Sequence, residues 1–309
     1  MKGLFYTDCH ISGKTPRHRI DNYQESIVNK IRETYEIADS TGCSFVGFGG
    51  DFFNTHRIFS YELISDIMDI ICKSKIKTYM CLGEHDLYGH SPTTYKSSTL
   101  AFFVRHCSNV EILWEPKDLG EIVLYGKHEF QTMDEAMSVK VDKRKYSILL
   151  CHELLSATKH PFDIIDVHTL TGCPYDLVLS GDLHCGYNIT EVDGTIFANP
   201  GSLARQTTAD AGRMPQVVLF DIDVKTGKTE VEYRKLKCAQ PGEEVFGEDL
   251  VDLLREEKNG VSTSAFAEGL LELEAESADV YELIAKAGAA AKLEKQVVDY
   301  LASKRGDEI

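Results

Sequence analysis

The chain has 309 residues, 43% hydrophobic and 27% charged, enough for one large core or for a core domain with a smaller appendage. No run approaches the ~18–20 consecutive apolar residues that span a bilayer, and the opening eight residues are too short and too soon acidic for a signal peptide, so neither a membrane-embedded nor a secreted form is expected. The formal charge is −16, of which residues 241–309 carry −10; unaided binding to nucleic acid is disfavoured, because phosphate neutralisation calls for a basic surplus.

Short apolar runs recur along the chain, and each ends in a polar cluster. Residues 3–6 lead to Thr7-Asp8-Cys9-His10, 44–48 to Gly49-Gly50-Asp51, and 78–82 to Gly83-Glu84-His85-Asp86. Residues 147–150 lead to Cys151-His152-Glu153, and 177–180 to Gly181-Asp182-Leu183-His184. Continuous runs of this length suit strands covered on both faces. Between the first three lie two helical stripes, one through Ile27, Ile31, Tyr35 and Ala38, the other through Leu63, Ile64, Ile67, Ile70 and Ile71. Further strands are expected near 110–114, 120–126, 195–198, 215–223 and 229–236, the last two joined by a turn at Lys225-Thr226-Gly227-Lys228. The sum is an α/β fold of layered, mixed β-sheets flanked by helices.

Cys238-Ala239-Gln240-Pro241-Gly242 marks a boundary between a domain at 1–240 and an acidic C-terminal region at 241–309. That region reads as three helices, at 248–258, 264–275 and 279–304. The nine cysteines include no C-x-x-C pair, so neither a disulfide framework nor a zinc ribbon is expected, and a reducing, cytoplasmic compartment follows. Several of them sit in apolar runs and read as small buried hydrophobes.

Five strand ends thus deliver Asp8, His10, Asp51, Glu84, His85, Asp86, His152, Asp182 and His184. Loops at strand C-termini are where α/β folds build their sites. Crowded carboxylates and imidazoles call for positive charge among them, and a pair of divalent metal ions supplies it. In an extended strand end, Asp8 and His10 would project to one side, as would Asp182 and His184.

The ordered series D-x-H, G-D, G-E-H-D, His and G-D-x-H resembles that of the calcineurin-like metallophosphoesterases, and within them the SbcD-like DNA repair exonucleases that pair with an SbcC-type ATPase. Asn199-Pro200-Gly201-Ser202 is similar to the family's loop after the last ligand strand. The resemblance covers about residues 1–236. It implies one metal held by Asp8, His10, Asp51 and His184, and a second by Asp51, Glu84, His152 and Asp182. Glu84 and Asp182 stand where the family has Asn and His. Both changes add a carboxylate to the second site, favouring Mn²⁺, with Mg²⁺ as the alternative. Two further readings stay open, Asp182 as a turn-capping carboxylate and Glu84 pointing away from the metals.

The resemblance further implies phosphodiester hydrolysis, with His85 as acid for the leaving oxygen and Asp86 orienting its ring. The family's catalytic His after the shared Asp is Asn54 here, and Asn54, His56 and Arg57, the last two just beyond it, are the candidate substrate contacts. DNA and an SbcC-type ATPase are the implied partners, the ATPase on 241–309, with a homodimer as an open alternative. A small-substrate phosphodiesterase of the same fold and a catalytically weakened scaffold are the competing functions. His90, His106, His128, His160 and His168 read as solvated or core histidines.

Overall fold

Alternation within the strands decides which face each apolar side chain takes, and here both faces are covered. The computed structural model describes residues 1–158 and 164–247. The chain begins β1 (Lys2–Tyr6), α1 (Tyr23–Ser40), β2 (Phe45–Phe48), α2 (Tyr61–Lys73), β3 (Lys77–Met80), α3 (Thr99–His106) and β4 (Val110–Ile112). It continues through β5 (Lys117–Asp118), β6 (Ile122–Lys127), α4 (Met133–Met137), β7 (Tyr146–Cys151), β8 (Leu155–Ser156) and β9 (Ile165–Asp166). It ends with β10 (Leu177–Ser180), β11 (Tyr187–Val192), β12 (Thr195–Asn199), β13 (Gln216–Asp223), β14 (Lys228–Lys235) and α5 (Gly242–Phe246).

Two six-stranded mixed sheets result. The first has the order β14-β13-β1-β2-β3-β4, the second β11-β12-β10-β7-β6-β5. In the first, β1 to β4 run parallel and β13 and β14 antiparallel. In the second, β12, β10, β7 and β6 run parallel between antiparallel edges. Phe5, Phe45 and Tyr79 of the first sheet meet Ile148, Leu150, Leu177 and Leu179 of the second in a shared core. The alternate residues Leu4, Tyr6, Val46 and Phe48 face the opposite way, onto the stripes of α1 and α2. Leu149, Val178 and Phe197 cover the outer face of the second sheet with Met133 and Ala136 of α4. The expected α/β architecture of layered mixed sheets is therefore observed. Parallel strands laid side by side carry their C-terminal loops to one edge, which brings the five polar clusters together.

Two expectations are corrected. Cys72 at the end of α2 and Cys107 just past α3 form a disulfide, with Cα atoms 5.0 Å apart across a sequence separation of 35. The pair joins helix ends brought together by packing, so no short spacing motif announces it. The other correction concerns backbone shape: β1 stops at Tyr6, and Asp8 and His10 lie at φ +53° and +42° rather than extended. Elsewhere Cys9, Cys43, Cys81 and Cys151 are buried, free thiols, and Gly227 at φ +73° closes the β13–β14 turn. Packing of the described body runs to Gly247, with Val245 and Phe246 of α5 buried. The helices expected at 248–258, 264–275 and 279–304 lie outside the described residues, as does His160. Among the described residues no helix is long and apolar enough to cross a membrane.

His128 stitches one sheet to the other. It follows β6, and its Nδ1 accepts the Leu82 N–H at 3.0 Å while Nε2 donates to the Leu113 carbonyl at 3.2 Å. Burial pulls its pKa down to about 4, so on acidification the unfolded chain takes up the proton first. Its contribution to stability is whole above about pH 6.5 and is lost as pH falls toward 4. Urea midpoints should decline across that window, by on the order of 3 kcal/mol from this group, and the His128 ring should titrate near pH 4 by NMR.

Candidate metal centre

Each loop at the sheet edge is bent to aim a side chain inward, and the backbone carries the cost. Asp8, His10, Asp51 and Asp182 all have positive φ, from +42° to +72°, a region that costs non-glycine residues on the order of 1 kcal/mol or more and clusters at functional sites. Glycine is needed where these turns touch: a Cβ on Gly83 would collide with the Asp51 carboxylate, and one on Gly181 with Thr7 and the Gly49 carbonyl.

The two buried aspartates share one design. Asp8 Oδ2 accepts the Thr7 hydroxyl at 2.6 Å, the Asp182 N–H is shared between Oδ2 at 3.2 Å and Oδ1 at 3.3 Å, and Oδ1 also faces His184 Nε2 at 3.6 Å and His10 Nε2 at 3.9 Å. Asp51 Oδ1 accepts the His85 N–H at 2.9 Å. Its Oδ2 faces His152 at 3.5 Å, His10 at 3.8 Å and His85 at 3.9 Å. In each carboxylate one oxygen is the more firmly anchored and the other faces the imidazoles. The Nε2 atoms of His10 and His184 lie 3.0 Å apart.

Three groups of ligand atoms converge: Asp8, His10 and His184; His10, Asp51 and His85; and Asp8, Asp51 and His152. His152 donates Nδ1–H to the Gly49 carbonyl at 2.8 Å, and its buried Nε2, 3.5 Å from Asp51 Oδ2, has no hydrogen-bonding partner among the described residues. A ring held by one nitrogen so that the other points into a cluster of carboxylates is the arrangement of a metal-ligating histidine. Two imidazole nitrogens 3.0 Å apart also suit neighbouring ligands of one ion at about 2.1 Å each. The donors are carboxylate oxygens and imidazole nitrogens with no thiolate, a set suited to divalent ions such as Mn²⁺, Mg²⁺, Fe²⁺ or Zn²⁺.

Asp182 and Glu84 sit at the margin. The Asp182 carboxylate is 4.0 Å from His152 Nε2, and Glu84, half exposed, lies 3.5 Å from His85 Nε2. Asp86 is buried and takes a part different from the one expected of it. Its oxygens accept the backbone N–H groups of Asp51 and Gly83 at 3.0 Å and of Phe52 at 3.1 Å, so it clamps two site loops together. The ring of His85 is oriented instead by the Asn54 carbonyl, 2.7 Å from Nδ1. The Asn54 side chain accepts from Gln206, while His56 and Arg57 lie farther along the same loop.

Charge is in deficit here. Burial raises Asp8 and lifts Asp182 to about 6, and burial followed by the nearby Asp51 charge lifts Asp86 to about 7. Burial would raise Asp51 too, but the charges of His152, His10 and His85 outweigh it and hold the carboxyl below its usual range. Burial and the neighbouring imidazoles lower His10. Burial also opposes the charge on His152 and His85, yet Asp51 carries both upward.

Several supporting residues escaped the sequence reading. Ser202 Oγ donates to the Asp8 carbonyl at 3.0 Å, and Lys30, buried in α1, holds Leu203 and Ala204 of the same loop by their carbonyls at 3.0 and 3.1 Å. Lys127 donates to the His152 carbonyl at 2.9 Å and pairs with Glu153 at 2.5 Å. A lysine closing the apolar run of β6 was the signal available for the last.

A family model described as "Calcineurin-like phosphoesterase" matches residues 1–186. No curated protein matches the sequence. The chain is similar to a dimetal phosphatase from Danio rerio (11% identity, 76% of this chain and 96% of that one, TM-score 0.49). It is also similar to the calcineurin-like phosphoesterase YfkN from Bacillus subtilis (11%, 84% and 96%, TM-score 0.45). A third similar structure is the phosphoesterase Yfce from E. coli (11%, 75% and 98%, TM-score 0.34).

Replacing Asp86 by Ala strands several buried N–H groups and should cost about 2–5 kcal/mol in urea denaturation. Lys127→Met should lower the affinity of the folded protein for Mn²⁺ by about 10-fold or more, as loss of a ligand's support does, measured by calorimetric titration.

Proposed function

The chain belongs to the calcineurin-like phosphoesterases, phosphoester hydrolases whose centre holds two divalent metal ions, and from that membership we propose that it is a phosphodiesterase acting on DNA. In this reading it is the nuclease subunit, exonuclease and endonuclease, of a repair and recombination complex with an SbcC-type ATPase, with Mn²⁺ the favoured metal and a cytoplasmic residence. The observation that carries the hydrolytic chemistry is Asp51 Oδ2 facing the three imidazoles of His10, His85 and His152 within 3.9 Å.

Asp8, His10, Asp51 and His184 would hold one ion, and Asp51 and His152, with Asp182 and Glu84 at the margin, the second. When bound, the ions polarise the phosphoryl oxygens and make water acidic enough to act as nucleophile near neutral pH. The chain's own acid is His85. The Asn54 carbonyl fixes Nδ1, and the Asp51 and Glu84 charges raise the ring's pKa against the effect of burial. With Nδ1 held, Nε2 is the nitrogen that faces the centre, where it can pass a proton to the departing oxygen.

The DNA substrate and the ATPase are supported by the closer motif likeness to SbcD-type nucleases, and the docking of the ATPase on 241–309 by the acidity of that segment. A tailless chain that still co-elutes with the ATPase in size-exclusion chromatography would refute the docking.

Protein stripped with EDTA should lose hydrolysis of linear DNA and of bis-p-nitrophenyl phosphate, and regain both with Mn²⁺. His85→Ala should lower kcat by about 10²–10⁴. Cleavage of the small ester or of cyclic nucleotides without DNA would favour a small-substrate enzyme, and no cleavage with any divalent ion a scaffold.

A further inference from the structure

Three segments beside the centre are unlike the rest of this acidic chain. No Asp or Glu occurs in residues 9–20, 52–61 or 87–110, the segments that follow Asp8, Asp51 and Asp86. They are tied into one surface: Asn54 N–H bonds the Ile11 carbonyl at 3.0 Å, Thr99 N–H bonds the His56 carbonyl at 2.8 Å, and Arg57 Nε bonds the Ser97 carbonyl at 3.1 Å. Lys14, Arg17, Arg57 and Lys96 are exposed on it.

Aromatic rings stand on the same segments. Tyr88 is 66% exposed, Phe59 77% and Tyr61 76%. Tyr88 packs against His56, with ring centroids 5.0 Å apart and planes at 55°. Tyr88 follows His85 by three residues, which limits their Cα separation to about 10 Å. His56 follows Asn54, the residue that orients the His85 ring, by two. A ring pair open to solvent, within a nucleotide's length of the scissile position and set among cations, matches a nucleic acid strand whose bases have free faces. In a duplex those faces are covered by neighbouring bases.

We propose that the Tyr88–His56 ring pair is a stacking platform for a base of single-stranded polynucleotide, with an adjoining phosphate at the Asp51–His85 centre and the strand's backbone beside Arg57. This deepens the phosphodiesterase reading and rests on it. The platform selects an unpaired stretch, so a frayed end or a loop is engaged ahead of intact duplex.

The test is fluorescence anisotropy on the full-length chain with Mn²⁺, in a His85→Ala background that holds back cleavage. The probes are oligothymidylate, an abasic strand of the same length and a blunt duplex. Adding Tyr88→Ala should weaken oligothymidylate binding about 5- to 100-fold, shift the abasic strand less than about twofold, and be rescued by Tyr88→Phe. Arg57→Gln should weaken both single strands and lower the salt slope by about 0.7. Equal affinity with and without Tyr88, equal losses on thymidylate and abasic strands, or no binding of any strand overturns the platform. If the wild-type chain cleaves DNA while binding ignores Tyr88, the platform fails and the nuclease reading stands. If binding depends on Tyr88 while the wild-type chain leaves DNA intact, the platform stands and the nuclease reading fails.

Discussion

Two carboxylates buried beside one another are the constraint from which the rest of this structure follows. Asp8 and Asp51 are 0% and 2% exposed, and burying an anion without compensation is prohibitive. Each is therefore half-satisfied by hydrogen bonds from neighbouring loops and half-presented to histidines. His10 faces both, His184 extends the cluster on the Asp8 side, and His85 and His152 extend it on the Asp51 side. This polar cluster persists at the edge of a large apolar core because every loop around it is braced from outside.

The bracing is made mostly of main chain. Asp86 gathers N–H groups from two loops, the Gly49 carbonyl holds His152, and the Asn54 carbonyl holds His85. Behind Asp8, the loop at 199–204 is fastened by Ser202, Lys30 and Arg19, the last donating to the Ala204 and Arg205 carbonyls at 2.8 and 2.7 Å. Such contacts over-determine the left-handed backbone at Asp8, His10, Asp51 and Asp182, which would otherwise relax. The strain and its bracing hold the functional atoms in place, the preorganisation that catalysis requires.

Charge is divided by region rather than averaged. The chain is acidic overall, and the 69 residues from 241 hold most of the surplus, yet three segments beside the centre, residues 9–20, 52–61 and 87–110, are free of Asp and Glu. For the DNA substrate proposed above that local arrangement matters, since fields at close range outweigh net charge once screening by salt is counted.

Much of this was legible in the sequence for a physical reason. Runs such as 147–150 and 177–180 are apolar on both faces and short, so they had to be interior parallel strands, and interior parallel strands must end their polar loops at one edge. That logic located Asp8, His10, Asp51, His85, His152, Asp182 and His184 together, while it left His128 open between a solvated and a core place. What it could not reach were relations between residues distant in sequence: the Cys72–Cys107 pair, the buried cations Lys30 and Lys127, the clamp made by Asp86, and the turn of Asp8 and His10 out of the strand. Strand β11 was missed as well, because its outward residues are polar and it gains its place from pairing with β12. Local pattern records which side chains seek burial, whereas which hydrogen bonds offset the burial of a carboxylate depends on loops that only the folded chain brings within 3 Å of one another.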